Sequence, residues 1–100
     1  MIYLKIYNSL NGKIVTLCDE ELLGVKLKEN GLELYIGDFY KGELISENDF
    51  DRLNFEKVIS IHAIGEKSIN LLKNKGIIKK EDEKYVKYIQ GIPVVLIFYV

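Results

Sequence analysis

The stretch Tyr3-Leu4-Lys5-Ile6-Tyr7-Asn8-Ser9-Leu10-Asn11-Gly12-Lys13-Ile14-Val15-Thr16-Leu17-Cys18 decides how this chain folds. Leu4 and Ile6 alternate with Tyr3, Lys5 and Tyr7, the period of a strand with one apolar face. Asn11-Gly12 is a favoured pair for a two-residue hairpin turn, and Ile14 to Cys18 runs back from it. A tight turn there sets Tyr7 opposite Thr16 and Lys5 opposite Cys18. The chain opens on an antiparallel hairpin, with Tyr3, Lys5 and Tyr7 on one face.

Beyond the hairpin, Asn30-Gly31 is a second turn signal, followed by alternating Leu32, Leu34 and Ile36, a third strand. Ser46-Glu47-Asn48-Asp49 reads as a capping box with Asp in place of the usual Glu, starting a short helix that buries Phe50 and Leu53. Val58 to Ala63 places Ile59, Ile61 and Ala63 on one face, which favours a strand. A second helix from about Glu66 turns Ile69 and Leu72 inward. It ends at Gly76, a left-handed cap with Ile77 as its apolar follower. Two last strands, Tyr85–Gln90 and Val94–Tyr99, flank Gly91-Ile92-Pro93, and the unbroken run Val94 to Phe98 suggests burial on both faces. Strands and helices mix without βαβ regularity. The expected class is α+β: a single compact domain over residues 1–100, with the N-terminal hairpin, further strands in a mixed or antiparallel sheet, and two short helices.

With 48% hydrophobic residues, this length closes a core without metal or disulfide. Cys18 is the only cysteine, so no intramolecular disulfide forms and nothing points to an oxidising compartment. Met1 runs directly into an alternating segment with no signal-peptide core, and the apolar run Val94 to Val100 is too short to span a bilayer. A soluble, cytoplasmic protein without membrane partner is expected. Lysine and glutamate are plentiful and Gln90 is the only glutamine. That balance fits a hyperthermophile, and an AT-rich genome accounts for it equally well.

Net charge is −1, but it is unevenly spread. Residues 1–51 hold ten acids against five bases, and residues 52–100 five acids against nine bases. Such asymmetry marks some nucleic-acid contacts and also arises by chance in small domains.

The residue types that carry chemistry are sparse. Cys18 lacks a nearby base, since His62 is the only histidine and lies in an apolar segment. A small buried hydrophobe and a boundary histidine are the plainer readings. Asp19, Glu20 and Glu21 crowd three carboxylates together, and an acidic first helical turn with Leu22 and Leu23 packing beneath is a plainer reading than a hard cation. One Cys and one His cannot fill a tetrahedral zinc site. Gly65-Glu66-Lys67-Ser68 lacks both the Gly-Lys pair and the upstream glycine of a phosphate loop. No catalytic residue, metal or cofactor is assigned, and a non-enzyme is expected. Two binding surfaces remain. One is the aromatic and basic strand face of Tyr3, Lys5 and Tyr7, suited to stacking bases. The other is a basic patch of Lys67, Lys73, Lys75, Lys79, Lys80, Lys84 and Lys87, suited to phosphates. Arg52 is the only arginine, so sequence readout of DNA is not expected.

Several short motifs fall in order along nearly the whole chain. They are the opening hairpin, Cys18-Asp19-Glu20-Glu21-Leu22-Leu23-Gly24, Phe39-Tyr40 before Gly42-Glu43-Leu44, Gly65-Glu66, Gly76, and Gly91-Ile92-Pro93. Together they resemble the archaeal family known as domain of unknown function 424. The family pattern continues its last turn into His-Ala-Gln, whereas Pro93 here is followed by Val94-Val95-Leu96, so any chemistry of that histidine is missing. The resemblance implies an archaeal cytosolic α+β protein with no assigned activity. The expected role is a binding module of translation or RNA metabolism, with RNA or the ribosome as partner. The alternatives are a scaffold docking a protein through its acidic half, around Asp19–Glu21 and Glu43–Asp51, and a small metal-assisted enzyme.

Overall fold

The computed structural model describes residues 1–99. Strand β1 (Ile2–Ser9) and strand β2 (Gly12–Asp19) form the opening hairpin. A small second hairpin follows, β3 (Lys26–Glu29) and β4 (Leu32–Tyr35), then β5 (Glu43–Ile45) and helix α1 (Glu47–Phe50). Strand β6 (Val58–Ile64) leads into helix α2 (Glu66–Asn74), and β7 (Lys87–Ile89) and β8 (Ile92–Phe98) close the chain. Six strands make one sheet in the order β5-β1-β2-β6-β8-β7, parallel only between β2 and β6, so the sheet is mixed and the class α+β.

The strand period sorts the sheet into two faces. Leu4, Val15, Leu17, Ile61, Ala63 and Val95 point inward, where Ile69, Leu71 and Leu72 of α2 complete the main core. Each such Val, Leu or Ile side chain removed from water contributes roughly 1.5–3 kcal/mol, and together they hold the helix on the sheet. On the outer face, Cys18, Ile64 and Ile89 pack beneath Leu27 and Ile36 of the β3–β4 hairpin region, a second, smaller core. Gln90 pins this hairpin to the last turn. Its side-chain oxygen accepts from the Lys28 amide at 2.8 Å, and its own amide donates to the Glu29 carboxylate at 3.1 Å.

The opening hairpin is shifted by two residues from the expected register. Tyr7 faces Ile14, Lys5 faces Thr16 and Tyr3 faces Cys18, because the turn lies at Leu10-Asn11 and Gly12 already pairs with Ser9. Gly12 serves a different purpose from turning. A Cβ there would overlap the Lys57 carbonyl oxygen, which accepts from the Lys13 amide at 2.7 Å. A shift of two leaves every side chain on its expected face.

The expected capping box is present: Ser46 Oγ accepts from the Asp49 amide, and the Asp49 carboxylate accepts from the Ser46 amide. The Gly76 cap is present too. The Ile77 amide donates to the Leu72 carbonyl at 2.9 Å and the Gly76 amide to Lys73 at 3.0 Å, a Schellman motif with Gly76 at φ +74°. Two strand assignments need correction. The penultimate strand begins at Lys87, because Lys80–Tyr85 coils as a 3-10 turn. The last hairpin turns at Gln90-Gly91, which puts Ile92 and Pro93 inside β8. Strand β8 is not buried on both faces: Leu96 is 47% and Phe98 68% exposed, since the β3–β4 hairpin ends short of them. Two short strands, β3 and β5, have no sequence counterpart; Lys26–Glu29 carries charge at three of four positions and shows only one buried residue.

Gly76→Ala is expected to lower stability by about 1 kcal/mol through the positive φ alone, because open space surrounds its Cβ position. Urea denaturation reads this, and an unchanged midpoint would count against the cap.

Candidate functional site

The first turn of α2 begins at Gly65, which offers no capping side chain, and Asp19 from the end of β2 takes its place. Asp19 Oδ2 accepts from the Lys67 amide at 3.0 Å, and Oδ1 accepts from the Ser68 amide and hydroxyl, both at 2.8 Å. Its carboxylate is 2% exposed and fills the space a Cβ on Gly65 would need. Gly65 sits at φ +108°. These contacts satisfy the orphan amides of a buried helix start and place negative charge at the positive end of the helix dipole. The acidic trio is thereby dispersed: Glu20 lies 3.8 Å from the N-terminal ammonium and Glu21 3.7 Å from Lys67. Among the described residues no three His, Cys, Asp or Glu side chains form a metal-binding group.

Cys18 is fully buried on the outer face, and burial together with Asp19 and Glu21 pushes its thiol up to about 12. The lysine expected opposite it stands opposite Thr16 instead. The thiol is a small hydrophobe at neutral pH, since nucleophilic attack requires the thiolate.

The seven lysines of the basic patch lie on α2, the 3-10 turn Lys80–Tyr85 and their flanks, and acids hold three of them. Lys67 meets Glu21, Lys73 meets Glu83 at 2.9 Å, and Lys75 meets Asp51 at 2.7 Å. Two of these pairs join the basic half to the acidic half, so the folded surface mixes charges that the sequence segregates. Lys79, Lys80, Lys84 and Lys87 form no ion pair among the described residues.

The aromatic face develops into the larger feature. Tyr3, Lys5 and Tyr7 share the outer face, with Tyr3 half-buried at the second core. Lys5 Nζ stands 4.9 Å over the Tyr7 ring. Tyr7 stacks on Phe39 at 5.0 Å between centroids and 12° between planes, and its hydroxyl donates to the Phe39 carbonyl at 2.8 Å. Phe39 meets His62 edge-on at 5.4 Å, and His62 meets Phe98 at 6.5 Å. Cross-strand register explains the line, since Lys5, Thr16, His62 and Leu96 are neighbours across four strands, as are Tyr7, Ile14, Ser60 and Phe98. Burial lowers the pKa of His62 from its ordinary 6.5, so the ring is neutral at pH 7 and packs as an aromatic. Its Nε2 lies 3.4 Å from Ser60 Oγ. His62, Phe98 and Leu96 join this surface without having been expected there; the signal in the sequence is the period-two spacing of Ser60, His62 and Ile64 opposite Phe98, Leu96 and Val94.

A family model described as protein of unknown function (DUF424) matches residues 7–100. The chain belongs to this family. A crystal structure of an uncharacterized conserved protein from Methanopyrus kandleri is similar, with 26% identity and a TM-score of 0.76 over 97% of this chain and 90% of that one. None of the curated proteins matches.

The motif residues singled out in the sequence are largely fold-holding. Asp19 and Gly65-Glu66 build the helix cap. Gly42 lies against the Leu4 carbonyl with no room for a Cβ, and Gly24, at φ +89°, donates its amide to Ile36 at 2.6 Å. Leu22 and Tyr40 pack on the second core and Leu23 is half-buried, while Pro93 is buried in β8. Phe39 is the exception, 41% exposed at the centre of the ring cluster.

Asp19→Ala is expected to cost about 2 kcal/mol, as expected for a buried cap whose acceptor is charged. Gly65→Ala should also destabilise, and the double variant should cost less than the two singly, because removing the carboxylate relieves the overlap. Strict additivity in urea titrations would contradict this contact.

The Cys18 thiol sets a pH limit. A folded-state pKa raised from 9.0 to about 12 contributes stability that is complete below pH 9 and lost as pH rises towards 12. The melting temperature of Cys18→Ala should fall less than that of the parent above pH 9. Iodoacetamide should label the native thiol only through unfolding, and rapid native labelling would refute the burial argument.

Proposed function

We propose that this protein is a non-enzymatic binding module of translation or RNA metabolism, and that single-stranded RNA is its ligand. One observation carries the reading: a connected row of rings, Tyr7, Phe39, His62 and Phe98, crosses the open half of the outer sheet face with a lysine at one end. Bases stack on such rings whatever their identity, and Lys5 offers a phosphate contact at the β1 margin. The single arginine suits sequence-blind binding. The likeness to a Methanopyrus protein supports an archaeal origin; the proposal adds a cytoplasmic setting with the ribosome as a source of such RNA.

A protein ligand on the same face is the second reading, and the 68% exposure of Phe98 beside Leu96 favours it. The acidic half supports it less, because Asp19 is buried and Glu21 and Asp51 are engaged by Lys67 and Lys75.

Fluorescence anisotropy with a labelled oligouridylate separates the two. Wild type should bind weakly, with affinity falling as salt rises. Phe98→Ala, whose ring is largely exposed, should weaken binding about 5- to 150-fold, the range expected for one lost stacking partner, while leaving the melt unchanged. Lys5→Ala should reduce the salt slope by about one. Absence of binding by wild type at low salt would overturn the RNA reading.

A further inference from the structure

Among the described residues, the edge of β8 away from β6 is unpaired over the last four of its seven residues, Val95 to Phe98. Strand β7 pairs with β8 only through Ile92, Pro93 and Val94 and ends outward at Lys87. On the other side, the Tyr99 amide donates to Ile59 at 2.9 Å and the Pro93 carbonyl accepts from Gly65, so odd-numbered positions of β8 bond towards β6. In an antiparallel ladder the alternate positions point the opposite way. Val94 meets β7, and the N–H and C=O groups of Leu96 and Phe98 continue along the same edge, where no strand among the described residues pairs with them. Where β7 would have continued, the chain coils as the 3-10 turn Lys80–Tyr85.

Between that turn and the β8 edge lies a cleft of about 550 Å³, with Ile77, Ile78, Tyr85 and Ile97 in its lining. Its charged lining is mixed, Lys79 against Glu81 and Asp82, so a polyanion gains little there while a neutral peptide backbone fits. The cleft reaches Leu96 and Phe98, whose side chains are 47% and 68% exposed beside the edge.

We infer that β8 accepts an extended segment of a partner protein, added as a strand beside Leu96–Phe98. The main chain of the segment bonds to Leu96 and Phe98, and its alternate apolar side chains enter the cleft and cover Phe98. Open edges are sites of such pairing, and among the described residues no strand pairs with this one beyond Val94. The inference does not rest on RNA binding, because it uses the backbone edge of β8; the two ligands overlap only at Phe98 and not at Tyr7 or Phe39.

The probe is a displayed library of random linear peptides, selected on the whole protein. Enriched sequences should carry apolar residues at alternate positions, and bound peptide should slow hydrogen exchange at the Leu96 and Phe98 amides. Leu96→Pro removes the outward donor without touching the β6 ladder and should weaken the selected peptide by about tenfold, more than Leu96→Ala does. Should the proline variant fail to fold, N-methylation of the peptide at alternate positions tests the same bonds: one register should abolish binding and the other leave it intact. Phe39→Ala should leave peptide binding unchanged while it reduces RNA binding. No enrichment, enrichment without alternation, or indifference to both Leu96→Pro and peptide N-methylation would overturn the inference.

Discussion

The carboxylate of Asp19 is the contact on which the arrangement depends. It ends the second strand of the sheet and caps a helix that begins almost fifty residues later, through the Lys67 and Ser68 amides and the Ser68 hydroxyl. Strand β6 lies parallel to β2, so its end arrives beside the end of β2, and Gly65 turns there into α2. A side chain on Gly65 would displace the carboxylate, and without the carboxylate a buried helix start would leave amides unsatisfied. Strand register and the position of α2 over the inner face are fixed by one residue. The helix in turn supplies Ile69, Leu71 and Leu72 to the main core.

Once α2 takes the inner face, the outer face has only the short β3–β4 hairpin and the turn around Phe39 to cover it. These shield the row of Tyr3, Cys18, Ile64 and Val94; in the next two rows Thr16 and Ser60 are buried, Lys5, Tyr7, Ile14 and His62 are half-buried, and Leu96 and Phe98 at the β8 end are exposed. A sheet face is fit for recognition where it is flat, rigid and only partly covered. Here rigidity comes from the strands beneath, and ring-to-ring contacts fix Phe39 in place. The open edge of β8 follows from the same shortage of covering structure. Lys80–Tyr85 coils where a longer β7 would have closed it.

Local signals were legible in the sequence because local physics controls them. Ser46 and Asp49 cap each other over three residues, and Gly76 ends its helix through bonds within one turn. The class and the faces of β1 and β2 were legible from alternation. The hairpin register was not, because Gly12 answers to the Lys57 carbonyl, a contact far along the chain. The role of Asp19 was hidden for the same reason: the adjacent acids Asp19, Glu20 and Glu21 suggest a cluster, and only the fold separates them. Within the candidate site, Lys5 and Tyr7 were visible from their strand, whereas Phe39, His62 and Phe98 join them through tertiary pairing. An apolar run such as Val94 to Phe98 reports a strand but not what covers it.

Charge offers the clearest case of a sequence pattern that folding cancels. The acidic first half and the basic second half look like two surfaces, yet Glu21 meets Lys67, Asp51 meets Lys75, and Glu47 lies 3.4 Å from the Asn74 amide nitrogen. These pairs are largely exposed and each contributes little stability. Their consequence lies in the field, since neutralised lysines no longer steer a polyanion over long range. What remains for recognition is short-range: ring planes, an apolar cleft and unpaired peptide groups, with Lys5, Lys79, Lys80, Lys84 and Lys87 as the bases without an ion pair nearest those features in fold or sequence. A surface of this kind selects ligands by shape and stacking, and charge adjusts their affinity.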